Sequence, residues 1–459
     1  MRYHEIKTSV RKINMKVKFF RPFFVLGMGF MFLASLFVEI PGMELAIAVF
    51  TALALISYLP YLSRVPLTVV IILNVTAVIF YIIGGSLGDV IEGLLMNTAV
   101  LMIFIFVPLL AIPITSPRYL KDITGLLKSS FNNTKQSYNA LKLGTFSIGS
   151  VLNVGTLPIL YYLTDTDQFK DHKVMRMAAL NRGFALAFAW SPYFISIAVI
   201  LSYFEVRWLS VAAFGVTLSV VSLLGEWFLF NDKKYREMPE SPPVYYSRRR
   251  IAELGGIMLF MTGLIIILDM FSGFAIVNII PIVAIMLFIV WSVAIGGVEK
   301  VVKGLKSYTQ ERIPKMGNEL LIFISAGVFG TSLLVIGFDT FLINMLETAG
   351  VNHVLLLIPI FAVLIIGLSF FSVHPIITIT VAALAVLSMD MDVSEHYYMA
   401  IGLLLNWAVT VNLSPFTGIN LLMSSLANKS IFTMTKHNVL YGICLWFTGY
   451  ALIVILYFV

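Results

Sequence analysis

The spacing of apolar segments constrains this chain more than any other feature. They fall at residues 22–40, 43–62, 66–84, 91–114, 138–164, 182–204, 207–230, 253–271, 275–297, 318–338, 353–389, 397–425 and 438–458. Most approach the ~20 residues a helix needs to cross a ~30 Å hydrocarbon core. Hydrophobic residues fill 59% of the 459 positions and charged residues 12%, and no soluble core of this size hides that much apolar surface. An all-α polytopic membrane protein follows. The net charge of +7 is then read as lysine and arginine held on one side of a bilayer rather than as a nucleic-acid surface. The single cysteine, Cys444, excludes a disulfide framework and a cysteine-based metal site.

Charge fixes the threading. The first 21 residues carry Arg2, Lys7, Arg11, Lys12, Lys16, Lys18 and Arg21, and the apolar run from Pro22 to Ile40 lacks a small-residue cleavage site. We read a basic cytoplasmic tail (1–21) followed by an uncleaved first helix. If 138–164 and 353–389 are re-entrant hairpins that return to their own sides, every basic residue except Arg207 falls in the cytoplasm. The Asn132-Asn133-Thr134 sequon also lies inside and is not a glycosylation site. The expected fold has about eleven transmembrane helices and two opposed re-entrant hairpins in two inverted repeats. The first half is 22–230, a cytoplasmic linker is 231–252 and the second half is 253–459. The N-terminus lies inside and the C-terminus outside a cell inner membrane. The basic segments 115–142 and 298–317 are expected to lie along the surface as arms.

Four polar interruptions inside apolar segments locate a candidate site. They are Ser147–Pro158 in the inner hairpin (138–164), Ala189–Tyr193 in the helix 182–204, Ser369–Pro375 in the outer hairpin (353–389) and Val411–Asn420 in the helix 397–425. The hairpin prolines Pro158 and Pro375 are 217 residues apart, and the helix prolines Pro192 and Pro415 are 223 apart. Proline cannot donate to the carbonyl four residues back, so Pro192 and Pro415 free the carbonyls of Phe188 and Val411. Such breaks persist in a membrane only where they line protein or a wet cavity. There, half-helix N-termini attract an anion, and freed carbonyls with Ser, Thr or Asn oxygens suit a cation. Candidate substrate-binding residues are Ser150, Asn153, Thr156, Ser191, Ser372, His374, Thr378, Ser414, Thr417 and Asn420. Candidate cation-coupling residues are Gly149, Asn153 and Asn412.

At these residues the chain resembles the ion transporter superfamily, and within it the divalent anion–sodium symporters with their arsenite-pump and sodium/proton-antiporter relatives. The inner tip offers Ser150, Asn153 and Thr156 where those symporters carry a contiguous Ser-Asn-Thr. The outer tip, Ser372-Val373-His374-Pro375 with Thr378, is similar to a Ser-Asn-Pro-x-Thr version, and Asn412 to Asn420 is similar to the Thr-Pro-Pro-Asn region. The resemblance implies an elevator-type alternation and a homodimer joined through a fixed scaffold.

Among ionisable groups, His374 beside the outer break is read as a hydrogen-bond donor to an anion, as a titrating group, or as a histidine bonded to a neighbouring helix. Arg182 reads as an anion contact or a snorkelling arginine, and Glu226 as reaching the interface. The function expected is secondary active transport of a small anion, an organic carboxylate, coupled to Na⁺ or H⁺. The alternative is an ion/proton antiporter or metalloid exporter, which an intramembrane Asp pair would favour. A membrane-embedded enzyme needs a nucleophile–base set or metal ligands, and the hairpins supply only His374. No resident cofactor, metal or nucleic-acid partner is implied.

Overall fold

A computed structural model of the protein describes residues 20–166, 169–229, 237, 244–351, 353–389 and 391–459. Nearly all of the basic tail and most of the proline-rich linker lie outside the described residues, as does Asp390. The first half runs α1 (Phe20–Ser35), α2 (Met43–Tyr58), α3 (Arg64–Gly84), α4 (Leu87–Leu95), α5 (Thr98–Phe106), α6 (Ala111–Ile114) and α7 (Pro117–Lys128). It continues with α8 (Thr134–Leu152), α9 (Thr156–Leu163), α10 (Lys173–Phe188), α11 (Ile195–Tyr203) and α12 (Trp208–Leu229). The second half runs α13 (Arg248–Phe271), α14 (Ile276–Ser307), α15 (Gly317–Val335), α16 (Phe338–Thr348) and α17 (Val354–Ser369). It ends with α18 (Pro375–Leu387), α19 (Val393–Leu413), α20 (Gly418–Ala427) and α21 (Ile431–Phe458).

The chain is a multi-pass membrane protein. Among the described residues, ten helical stretches are long and apolar enough to cross a bilayer, counting Thr134–Leu163 as one of them. Phe20–Ser35, Val354–Ser369 and Pro375–Leu387 are apolar but shorter. Two expected continuous segments are interrupted. Residues 91–114 divide into α4, α5, a 3₁₀ turn opened by Pro108, and α6, because Pro108 cannot continue the ladder of α5. In α14 the helix runs through Pro281 and is instead broken by the non-helical pair Gly296–Gly297, where Gly297 has φ 69°. A π-turn at Tyr308–Arg312 and a 3₁₀ turn at Ile313–Lys315 then lead to α15. Of the expected surface arms, residues 117–128 form the separate helix α7, while 298–307 are the distal part of α14.

Packing sorts the helices into two bodies, each drawn from both halves of the sequence. In the first, α15 packs on α2, α3 and α4, and α14 packs on α5, α6 and α13. In the second, α10 packs on α8, α19, α20 and α21, α17 packs on α19, and α12 packs on α19 and α21. The bodies meet where α15 and α16 touch α18 and where α11 touches α5. Burial follows this division: the apolar window of α19–α20 is 89% buried, whereas that of α13 is 17% buried and presents its apolar surface outward. Small residues set the closest approaches. A Cβ on Gly183 of α10 would lie 2.3 Å from the Lys142 carbonyl of α8, and one on Gly215 of α12 would lie 2.1 Å from the Ala189 carbonyl.

Polar bonds stitch the bodies together. Tyr203 Oη of α11 donates across the boundary to Asn97 Oδ1 at 3.3 Å and also to Thr380 of α18, while Asn97 Nδ2 donates to Phe323 O of α15 at 2.9 Å within the first body. The arm α7 is tied to the start of α13. Asp122 accepts from Ser247 N–H at 2.9 Å and from Arg250 at 3.1 Å, and Glu253 accepts from Tyr119 and Arg118. Burial opposes ionisation of Asp122, but the Ser247 N–H and the Arg250 guanidinium outweigh it and hold the carboxyl below its ordinary range.

Candidate functional site at the hairpin tips and broken helices

Each of the two segments expected to form a hairpin carries one residue with an unusual backbone where its two helices join. α9 touches α8, and α18 touches α17. Between them stand Asn153 (φ 55°) and Ser372 (φ 64°), which with Asn428 are the positive-φ non-glycine residues among those described. Residues with a Cβ avoid this region because the Cβ crowds the following carbonyl. Asparagine tolerates it by bonding locally, and here Asn153 Oδ1 accepts from Val154 N–H at 2.7 Å while Nδ2 donates to Tyr193 O at 3.4 Å. The two turns lie 219 residues apart.

The broken helices repeat the same construction. Ser191 Oγ, between α10 and α11, donates to Ser150 O in the inner hairpin at 2.5 Å. Ser414 Oγ, between α19 and α20, donates to Ser369 O in the outer hairpin at 2.9 Å. Both accepting carbonyls lie three residues before the positive-φ residue of their hairpin. Each serine oxygen also accepts at 3.3 Å from the backbone two residues on, Tyr193 N–H or Phe416 N–H. The carbonyls of Phe188 and Val411 are not left for a cation as expected: Ser196 Oγ donates to the first and Asn420 Nδ2 to the second, each at 3.0 Å. A side chain from the second half-helix thus repairs each gap in the first.

Many sequence-predicted site residues are therefore engaged in local structure. Ser150 Oγ bonds Ser147 O at 2.7 Å. The Gly149 carbonyl accepts from Asn153 N–H. Thr417 caps α20 by accepting from Asn420 N–H. Asn420 also donates to Ser414 O at 2.7 Å, and its Oδ1 accepts from Asn181 of α10 at 2.6 Å. Ser191 and Ser414 are fully buried. Other predicted residues keep unspent polar atoms. The hydroxyls of Thr156 and Thr378, one in each hairpin, are buried without a partner, as are both amide atoms of Asn412. Asn412 faces α21, since a Cβ on Gly442 would lie 3.4 Å from its Cβ. Ser372 is half-buried at the outer turn.

His374 caps α18: its Nδ1 accepts from Ile376 N–H at 3.3 Å, which leaves Nε2 without a hydrogen bond to the described residues. Its half-buried ring meets Phe323 of α15 and Trp407 of α19 edge-on, at 5.9 and 6.4 Å between centroids. His374 therefore stands in the seam between the bodies. Glu319 lies one turn before Phe323 on α15 and is exposed.

Two features had no signal in the sequence. The first is Arg312, which charge counting assigns to a cytoplasmic loop. It closes the π-turn after α14, and a Cβ on Gly155, at the inner hairpin tip, would lie 3.6 Å from its Nη2 and 4.0 Å from its Nη1. Arg312 is half-buried and makes no ion pair or hydrogen bond with the described residues. An unpaired guanidinium thus lies over a hairpin tip. The second is an ionic cluster inside the second body. Glu226 of α12 binds both Lys142 of α8 and Arg182 of α10. Arg182 further donates to Tyr138 Oη, Asn438 Oδ1 and His437 O. Arg182 is thus neither a snorkelling residue nor an exposed anion contact, and Glu226 is held in the body rather than reaching for the interface.

No protein-family model matches the chain, and no curated protein matches it. Among solved structures it is similar to the YdaH transporter of Alcanivorax borkumensis, with a TM-score of 0.51 and 14% sequence identity over 81% of this chain and 87% of that one. The chain shares the polytopic, all-helical membrane fold of that structure. Identity at this level carries the architecture and leaves the substrate to the residues themselves.

Proposed function

We propose that the protein is a secondary active transporter of a small organic carboxylate, coupled to Na⁺ or H⁺. The observation that carries this reading is the unpaired Arg312 guanidinium over the inner hairpin tip. A half-buried guanidinium without a protein partner keeps its donors free for an anion, and arginine's planar fork matches a carboxylate with two parallel N–H···O bonds. The free Thr156 and Thr378 hydroxyls and the unbonded Nε2 of His374 add neutral donors or acceptors without adding a competing acid.

In this reading α8–α9 and α17–α18 are re-entrant hairpins. The arms of the second, 16 and 13 residues long, reach about 24 and 20 Å as helices and stop short of a ~30 Å core. The repeated serine bonds, turn residues and carbonyl repairs, offset by 219 to 224 residues, support two repeats of one unit. Charge segregation gives them opposite orientations, with the N-terminus cytoplasmic and the C-terminus outside the inner membrane. The body bearing both hairpins slides against the α2–α6 and α13–α16 body, through which two copies pair. Proteoliposomes exposed to a panel of mono-, di- and tricarboxylates under sodium or proton gradients test this reading. Gradient-driven accumulation of a carboxylate is the expected result; counterflow confined to neutral or cationic solutes overturns it.

A further inference from the structure

The Lys142–Glu226–Arg182 cluster carries an odd charge count. Two cations share one carboxylate, so the group holds a net positive charge in the interior of the second body. The Lys142 side chain is fully buried, while those of Glu226 and Arg182 are 13% and 16% exposed. The two cations are also unequally provided for. Arg182 has four protein partners: Glu226, Tyr138, Asn438 and the His437 carbonyl. The Lys142 ammonium has three N–H donors and one acceptor among the described residues, Glu226, with the Tyr441 ring 5.3 Å away. The titratable and charged groups facing it are Arg182 on α10, Glu226 on α12, Tyr441 and His437 on α21, and Tyr138 on its own helix. A lock serving only structure is better satisfied when its charges balance. Arginine keeps its proton in proteins, whereas a buried lysine gives its proton up.

We propose that Lys142 is the site at which the coupling proton binds, a statement that rests on the transporter reading above and selects H⁺ over Na⁺ within it. Protonated, the cluster carries one net positive charge. When the ammonium releases its proton to water, a neutral amine stays hydrogen-bonded to Glu226, and Arg182 and Glu226 remain as a balanced pair. Nothing else is consumed or produced. The charge carried by the hairpin body therefore alternates between one and zero. Moving a body through a low-dielectric seam is easier without an uncompensated charge, so proton release and the body's movement are linked. Lys142 lies eleven residues before the tip residue Asn153 on the hairpin's own first arm, about 16 Å along a helix. Gly183 holds α10 against the Lys142 carbonyl, so the charge state acts directly on both the hairpin and the first broken helix.

The test uses the full chain in proteoliposomes with Lys142→Arg and Lys142→Met, with internal pH read by a trapped dye and the transported carboxylate identified by the panel above. Wild type is expected to accumulate it on a proton gradient. Both variants are expected to lose gradient-driven accumulation by about tenfold or more, the loss of a coupling of that factor. Rescue of gradient-driven uptake by arginine, which keeps the charge and cannot release the proton, overturns the proposal. Wild-type uptake driven by sodium and indifferent to the proton gradient overturns it too, and leaves the transporter reading standing. Absence of any carboxylate movement sinks the transporter reading instead. The second measurement then decides: the melting temperature of purified wild type against Lys142→Met from about pH 5 to 9, which spans the range to which burial lowers a lysine. Curves that diverge across that range are expected, and parallel curves overturn the assignment.

Discussion

Removing the hydroxyl of Ser191 or Ser414 tests whether the paired bonds between broken helices and hairpins carry stability. Each substitution to alanine deletes one bond to a hairpin carbonyl, Ser150 O or Ser369 O, and one to the backbone two residues on. A net hydrogen bond is worth about 0.5–1.5 kcal/mol, and interhelical bonds in a membrane average about 0.6 kcal/mol with a maximum near 1.7. The Ser369 carbonyl keeps a second donor, Ser372 N–H at 3.2 Å, so Ser414→Ala belongs at the lower end, about 0.5–1 kcal/mol, and Ser191→Ala near 1–1.5 kcal/mol. The two bonds share no partner, so the double variant should lose their sum within about 0.5 kcal/mol. Equilibrium unfolding of purified protein in mixed detergent and SDS reads these differences. Ser332→Ala is the control, because that serine is equally buried and bonds only Phe329 O in its own helix. If both variants fall as little as the control, the repeated bonds are incidental and the argument that they hold the tips is wrong.

Three further outcomes follow from local geometry. Gly183→Ala places a Cβ 2.3 Å from the Lys142 carbonyl, where backbone cannot give way; overpacking of this kind costs about 1–3 kcal/mol and should lower the melting temperature, whereas Gly225→Ala, which meets no atom within 4 Å, should not. Ser372→Gly relieves a positive φ of 64° and should stabilise the outer turn or leave it unchanged, while Ser372→Val should destabilise it by about 1 kcal/mol or more, both read by the same unfolding titration. The depressed carboxyl of Asp122 stabilises the α7–α13 tie fully above the ordinary aspartate range near pH 4, and that contribution fades as pH falls through its lower native value. Hydrogen exchange at neutral pH should show Ser247 N–H protected in wild type and exposed in Asp122→Ala, which lacks the acceptor oxygen.

The sequence made the membrane class legible because long apolar segments have few other uses. The positions of the breaks were legible because proline's missing N–H acts locally: the helices end at Phe188 and Leu413, within a few residues of Pro192 and Pro415. Chemistry at those breaks was less legible. Whether the Phe188 and Val411 carbonyls stay free depends on Ser196 and Asn420, eight and nine residues further on, and so on how the second half-helix returns. Lys142 and Arg312 were hidden for a similar reason. Both count as ordinary basic residues in a one-dimensional charge tally, and only packing separates a fully buried lysine from a solvated one. The interruption of residues 91–114 at Pro108 and of α14 at Gly296–Gly297 shows the limit of apolar windows, which register composition and not the continuity of a helix.

Substrate affinity measured against the charge at position 312 tests the central claim most directly. Proteoliposome uptake of the carboxylate identified by the panel is compared in wild type, Arg312→Lys and Arg312→Gln. A charged hydrogen bond is worth about 1.5–3 kcal/mol, so Arg312→Gln should raise KM by about 10- to 100-fold, with the lysine variant between the two because it keeps the charge and loses the planar fork. An Arg312→Gln protein that folds, reaches the membrane and takes up the carboxylate with unchanged KM would contradict the account.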